Sequence, residues 1–152
     1  MKKLLTLFLY LTLIFSCTQN KPVQDPVDAV NILFKVAETK EFELLSLICD
    51  LDKLELIDEG ASENSDACSV CLLEKNFVSE CGQNSDDRDG FINMFSRGYI
   101  NGEVKTYFTE VNSVNIKCAE VPVMLFRNNE MIKMTINVFQ DNSSNRWYLA
   151  DL

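Results

Sequence analysis

Histidine is absent from all 152 residues, and this removes more chemistry than any residue present supplies. Without an imidazole there is no Ser-His-Asp or Cys-His nucleophile system, no zinc-protease helix motif and no ordinary catalytic zinc site. Acid–base work would fall to carboxylates, tyrosines or lysines. Tyr99, Tyr107 and Tyr148 could supply hydroxyls, and Glu120 or Asp151 a carboxylate. With Trp147, these tyrosines are the candidate lining of a pocket. Their spacing selects none of them, and a tyrosine on a half-buried strand ordinarily packs with a wet tip. No catalytic residue is assigned, and no cofactor or metal is expected.

Thiols are the other reactive groups. Beyond Cys17 there are Cys49, Cys68, Cys71, Cys81 and Cys118. Five is odd, so at least one stays free or pairs with another chain. In an oxidising compartment structural disulfides are the default. Cys68, Cys71 and Cys81 cluster, and closing a loop of about 15 residues stabilises by roughly 3 kcal/mol in the chain-entropy picture. The expectation is two bridges drawn from Cys68, Cys71, Cys81 and Cys118, with Cys49 buried and free. The pairing itself is not readable from sequence. Cys68-Ser69-Val70-Cys71 also imitates a redox pair at a helix start, but the βαβ surroundings of such a pair are missing. A cysteine-only zinc site is disfavoured by an oxidising compartment. Asp87-Arg88-Asp89-Gly90-Phe91-Ile92 echoes the middle of a calcium loop. Ser85 and Ser96 stand where the first acid and the closing glutamate should be, so an acid-rich helix start accounts for it.

Positioning these groups falls to two kinds of element. Asp25-Pro26 opens a helix carrying Val27, Val30, Leu33, Phe34 and Ala37 at helical spacing, with Ala29, Ile32 and Val36 adding apolar surface. That pattern predicts burial over most of the circumference. Further helices are expected over 41–49, 52–59 and 67–80, the second stopping at Gly60, and another runs from Asp86 to a stop at Gly98. Four segments rich in β-branched and aromatic residues follow: 104–111, 114–126, 131–140 and 146–152. The turns between them are Asn112-Ser113, Asn128-Asn129 and 141–145. Short connections predict an antiparallel meander with one face on the helices and the other lining a cavity or partner surface. Pro122 cannot donate to a ladder and is expected at an edge or bulge.

The amino end has its own logic. Met1-Lys2-Lys3 is basic, Leu4 to Phe15 is uncharged and mostly apolar, and Ser16-Cys17 closes the run before polar Thr18-Gln19-Asn20. This is the pattern of a secretory leader. The apolar run is about a dozen residues, whereas a membrane span needs roughly 20. Ile14-Phe15-Ser16-Cys17 resembles the lipobox of bacterial lipoproteins, with Phe15 departing from the smaller residue of the strictest form. The resemblance implies a signal peptide over 1–16 and acylation (palmitate among the chains) of Cys17 as the new amino end. It also implies a lipid-anchored, extracytoplasmic envelope location facing the periplasm. Residues 17–25 read as the lipidated cysteine and a tether, and 26–152 as one α+β domain with a Cys-bearing helical insert near 61–82.

Helices followed by a long meander ending in Arg146-Trp147-Tyr148-Leu149-Ala150-Asp151 resemble the nuclear transport factor 2-like superfamily, and within it small bacterial lipoproteins. The resemblance rests on the Asp25-Pro26-Val27-Asp28-Ala29-Val30 opening, the acidic turn from Glu38 to Phe42 and the Trp-led last strand. It covers 25–46 and 104–152, while 55–98 departs from it. It implies a cone of N-terminal helices on a curved antiparallel β-meander. The superfamily spans isomerases, dehydratases, cyclases and non-catalytic binding modules, so fold does not choose among them.

Composition narrows the partners. Lys2 and Lys3 leave with the leader, so 12 of the 14 basic residues remain against 23 acidic. That balance argues against nucleic acid and against anionic headgroups as partners of the domain. The reading is a lipid-anchored, non-enzymatic module for a small apolar ligand or an envelope protein. The alternative is an isomerase- or dehydratase-type enzyme using a carboxylate and a tyrosine inside the cone.

Overall fold

The structure, a computed structural model, describes residues 22–50, 52–53 and 86–151. The leader and the helices expected over 67–80 and beyond 53 lie outside the described residues. So does the insert near 61–82. Among the described residues, no helix is long and apolar enough to cross a membrane.

Asp25 opens the first helix: its Oδ1 accepts a hydrogen bond from the Val27 amide at 2.7 Å, and Pro26 fills a position that needs no amide partner. This helix, α1 (Pro26–Thr39), ends at Lys40, which turns left-handed at φ 61° and donates its amide to the Val36 carbonyl. Ala29, Val30, Leu33, Val36 and Ala37 are buried along one face. Val27, Ile32 and Phe34 are only half-buried, so the apolar stripe is narrower than the sequence suggests. A 3₁₀ helix, Phe42–Leu47, stands in place of the α-helix expected over 41–49. The cause is visible in its spacing. In a 3₁₀ helix residues three apart eclipse, and Phe42, Leu45 and Ile48 are all buried. The helix α2 (Asp86–Phe95) presents Phe91 and Phe95 one turn apart, stacked with ring centroids 4.6 Å apart. Phe95 meets Phe34 of α1 at 6.1 Å, and Phe91 meets Phe42 at 6.0 Å. Four phenylalanines thus join the three helical elements.

Five antiparallel strands form one curved sheet on which these helices pack. They are β1 (Tyr99–Ile100), β2 (Lys105–Val111), β3 (Val114–Arg127), β4 (Glu130–Gln140) and β5 (Trp147–Asp151). The order is β1-β3-β4-β5, and β2 lies beside β1 along the same flank of β3. Asn112, Ser113, Asn128 and Asn129 all take positive φ, the geometry of tight two-residue hairpins. Ala119, Val121, Val123 and Leu125 of β3 alternate toward the helices, and Ile136, Val138, Trp147 and Leu149 join them in the core.

Pro122 sits within β3, an interior strand, rather than at an outer edge. Its carbonyl accepts the Asn101 amide at 2.8 Å, so its nitrogen also faces the β1–β2 flank. The ladder is interrupted there: β1 pairs with Val123 and Met124, and β2 begins opposite Glu120. The missing donor falls in that gap. Gly102 bridges it at φ +143°, and a Cβ there would lie 2.8 Å from the Pro122 ring.

The outer edge of β5 is closed by the other end of the chain. Trp147 donates its amide to the Val23 carbonyl at 2.9 Å, and Leu149 donates to Ile48 at 2.8 Å. The Trp147 indole Nε1 reaches the Gln24 carbonyl at 3.1 Å. Val23 is itself buried. Residues 23–25, expected to be tether, therefore belong to the folded domain. Lys53 adds a clamp, its Nζ 2.6 Å from Asp141 Oδ2. The same carboxylate accepts the Ser143 and Ser144 hydroxyls at 2.7 and 2.5 Å. Burial pushes the Asp141 carboxyl up, but these hydrogen bonds outweigh it and hold it well below the usual range. The Lys53 ammonium is raised, chiefly by its hydrogen bond to Asp141.

Two outcomes follow. Gly102→Ala forces a side chain into a positive-φ position against the Pro122 ring and should destabilise by about 1–3 kcal/mol. Gly90 of α2 has open space above it, and Gly90→Ala should stabilise by about 0.5–1 kcal/mol. Urea unfolding of both variants checks the pair, and two shifts of the same sign would contradict it. Asp141 contributes stability above its unfolded pKa of about 3.9 and loses it as pH falls through its lower folded value. The melting-temperature gap between wild type and Asp141→Asn should therefore be widest near neutrality and narrow below about pH 4. A gap that stays constant on acidification would refute the clamp.

Candidate functional site

The second face of the sheet, turned away from the helices, carries the arrangement with functional character. Strand register places Tyr107 opposite Cys118, Cys118 opposite Phe139 and Phe139 opposite Tyr148. These four residues form one row across β2, β3, β4 and β5. Cys118, Phe139 and Tyr148 are buried as a second, smaller cluster with Ile116 and Ala150 beside them. The Phe139 and Tyr148 rings stack at 5.7 Å. Tyr107 closes the row with 42% of its surface exposed.

At the β2–β3 hairpin end of this face lies a cleft of about 200 Å³. Val111, Val114, Ile116 and Phe139 supply its apolar lining, and Lys53 and Asp141 flank it. The volume is below the roughly 300 Å³ at which ligand pockets usually begin. It suits one small apolar group, such as a partner's side chain or the end of an aliphatic ligand. Lys53 also holds its ammonium 5.2 Å from the centre of the Tyr148 ring, and the Arg146 guanidinium lies 5.5 Å from it. The rim carries the Lys53–Asp141 ion pair while the floor is apolar.

Two groups of the row, Cys118 and Tyr107, are pushed toward their neutral forms. Burial pushes the Cys118 thiol up. Burial also raises the Tyr107 phenol, helped by Cys118 and Glu120 nearby. A thiol held in its protonated form is a poor nucleophile.

The four residues expected to line one pocket do not converge. Tyr107 and Tyr148 share the row. Tyr99 pairs with Met124, six residues along β3 from Cys118 and so about 20 Å away. Trp147 belongs to the core on the opposite face, because neighbours on a strand point opposite ways. Glu120 stands two pairs along the β2–β3 ladder from Tyr107, opposite Lys105 and so on the same face. These two catalytic candidates are therefore close, but on an open sheet face. Asp151 occupies the register position opposite Asn137.

The cysteine expectation needs two corrections. Cys118, placed among the bridge candidates, is a free buried thiol, because its position on β3 turns it into the second face among Phe139, Tyr148 and Ile116. Cys49, expected to be free, is disulfide-bonded. Cys17, Cys68, Cys71 and Cys81 lie outside the described residues. Sequence reasoning missed the Lys53–Asp141 clamp, whose partners are 88 positions apart. One half of it was readable: Asp141-Asn142-Ser143-Ser144 is a run in which an aspartate accepts from its own following turn.

Comparison with known protein families, with curated proteins and with solved structures finds no match for this chain.

Proposed function

We propose that this chain is a lipid-anchored bacterial envelope protein whose domain is a non-enzymatic binding module. Its partner is an apolar group, from a small ligand or from another envelope protein, seated on the second face of the sheet. The observation that carries this reading is the division of labour between the two faces. The space between helices and sheet is filled by Val, Leu, Ile, Phe and Trp, and no polar or charged residue is buried among the described residues. A cone-interior enzyme needs an ionisable pair facing a cavity, and that space is taken by packing. The second face, by contrast, holds an apolar row whose Phe139 also lines an open cleft walled by exposed Val114, while exposed Tyr107 closes the row on β2. The order of helices before an antiparallel meander supports the likeness to a nuclear transport factor 2-like cone, here with its interior closed. The lipobox-like Ile14-Phe15-Ser16-Cys17 supports anchoring through acylated Cys17.

The neutral fluorophore N-phenyl-1-naphthylamine tests the binding face. It should bind saturably and quench on addition of an aliphatic competitor. Val114→Asp, at an exposed position on the cleft wall, should weaken it by about tenfold without lowering thermal stability. Equal binding by both proteins would overturn the assignment of the face. Separately, Cys17→Ser should move the expressed protein from the detergent phase to the aqueous phase, and unchanged partitioning would overturn the anchor.

A further inference from the structure

A groove unrelated to the apolar face runs between α2 and the β3–β4 hairpin. It encloses about 590 Å³ and is lined by Gly90, Asn93, Arg97, Phe126, Arg127 and the Asn128-Asn129 turn. Gly90, Asn93 and Arg97 recur at helical spacing and so present one stripe to it. Arg97 is held in place by stacking, with its guanidinium carbon 4.6 Å from the Phe126 ring centre. Arg127 is the last residue of β3, and Asn128 and Asn129 follow at φ 51° and 65°.

Charge makes this groove unusual. The chain carries a formal charge of −9, yet two arginines line one groove with no acidic partner within ion-pair distance among the described residues. Asp89 and Glu103 flank Arg97 in sequence and Glu130 stands opposite Arg127 across the turn, and none of them forms a salt bridge with either arginine. Two like charges facing one cavity repel unless an anion lies between them.

Gly90 supplies an independent observation. A glycine inside a helix costs about 0.5–1 kcal/mol relative to alanine. Nothing packs within 4 Å of where its Cβ would be, and its φ is not in the left-handed region. Neither packing nor backbone conformation asks for glycine at 90. What the missing side chain does leave is open space on the groove floor.

We infer that the groove binds an organic oxyanion, a carboxylate or phosphate ester. Arg97 and Arg127 supply the charge, and the side-chain amides of Asn93, Asn128 and Asn129 supply neutral donors. Guanidinium forks match the two-oxygen edge of such groups. The volume lies within the usual range for small-ligand pockets. This site is separate from the apolar face, so the two can fail independently.

The test is a nuclear magnetic resonance titration of the full chain in detergent micelles, observing arginine Nε–H and asparagine side-chain amide signals. Succinate and inorganic phosphate are the probes in separate arms, with sodium chloride at matched ionic strength as control. Saturable shifts at Arg97, Arg127 and the three asparagines are expected, with a dissociation constant in the millimolar range or tighter. Saturation by succinate alone, by phosphate alone or by both supports the site and says which oxyanion it prefers. Arg97→Gln with Arg127→Gln should weaken binding by about tenfold or more. Gly90→Phe should block binding by filling the floor while leaving the backbone spectrum otherwise native, and it decides the matter should the double variant not fold. Shifts that never saturate, that chloride reproduces, or that survive Gly90→Phe would overturn the site.

Discussion

Trp147 is the constraint on which the rest of the domain depends. Its ring sits in the main core with 2% of its surface exposed. Its backbone amide and its indole nitrogen are both spoken for by carbonyls of residues 23 and 24. One residue thereby fixes the start of the chain against the last strand, and Leu149 repeats the bond to Ile48 on the other side of α1. The sheet edge that would otherwise present unpaired backbone groups is covered. The relative sizes of the contributing effects identify what holds this closure. A partly buried ion pair such as Lys53–Asp141 contributes of order 1 kcal/mol, whereas truncating a buried tryptophan costs about 3–5 kcal/mol. The ring carries the closure and the clamp adjusts it.

Closing β5 from the helix side has a consequence for the opposite face. Once Trp147 points into the main core, Tyr148 must point away from it. Phe139 and Cys118 follow by register, so the second cluster results directly from how the last strand is docked. The apolar row and the core are therefore two outputs of one alternation. A slip of one residue in β5 would exchange Trp147 for Tyr148 and destroy both at once.

Much of this was legible in the chain. The four long strands read correctly to within a residue or two because Asn112-Ser113 and Asn128-Asn129 tolerate the positive φ that tight hairpins need. The Asp25 cap and the helix from Asp86 were readable for similarly local reasons. What escaped depends on distance or on register. β1 is two residues long and has no pattern to show. The 3₁₀ form of 42–47 is chosen by where Phe42, Leu45 and Ile48 must go, not by propensity. Pro122 fits an interior strand only because β1 and β2 leave a gap beside it. The expected pocket of Tyr99, Tyr107, Tyr148 and Trp147 contained its own refutation: adjacent residues on a strand cannot line the same cavity. Tyr99 needed the register to be placed.

The odd thiol count resolves along the same lines. Five cysteines beyond Cys17 cannot all pair within one chain, and among the described residues Cys118 is a free thiol. Cys49, by contrast, is disulfide-bonded. A free thiol is open to exchange only where it has both a thiolate and access. Cys118 offers neither. Burial keeps it protonated, and Tyr107 and Phe139 stand on either side of it across the sheet. The apolar row across the second face thus also shields the free sulfur of Cys118.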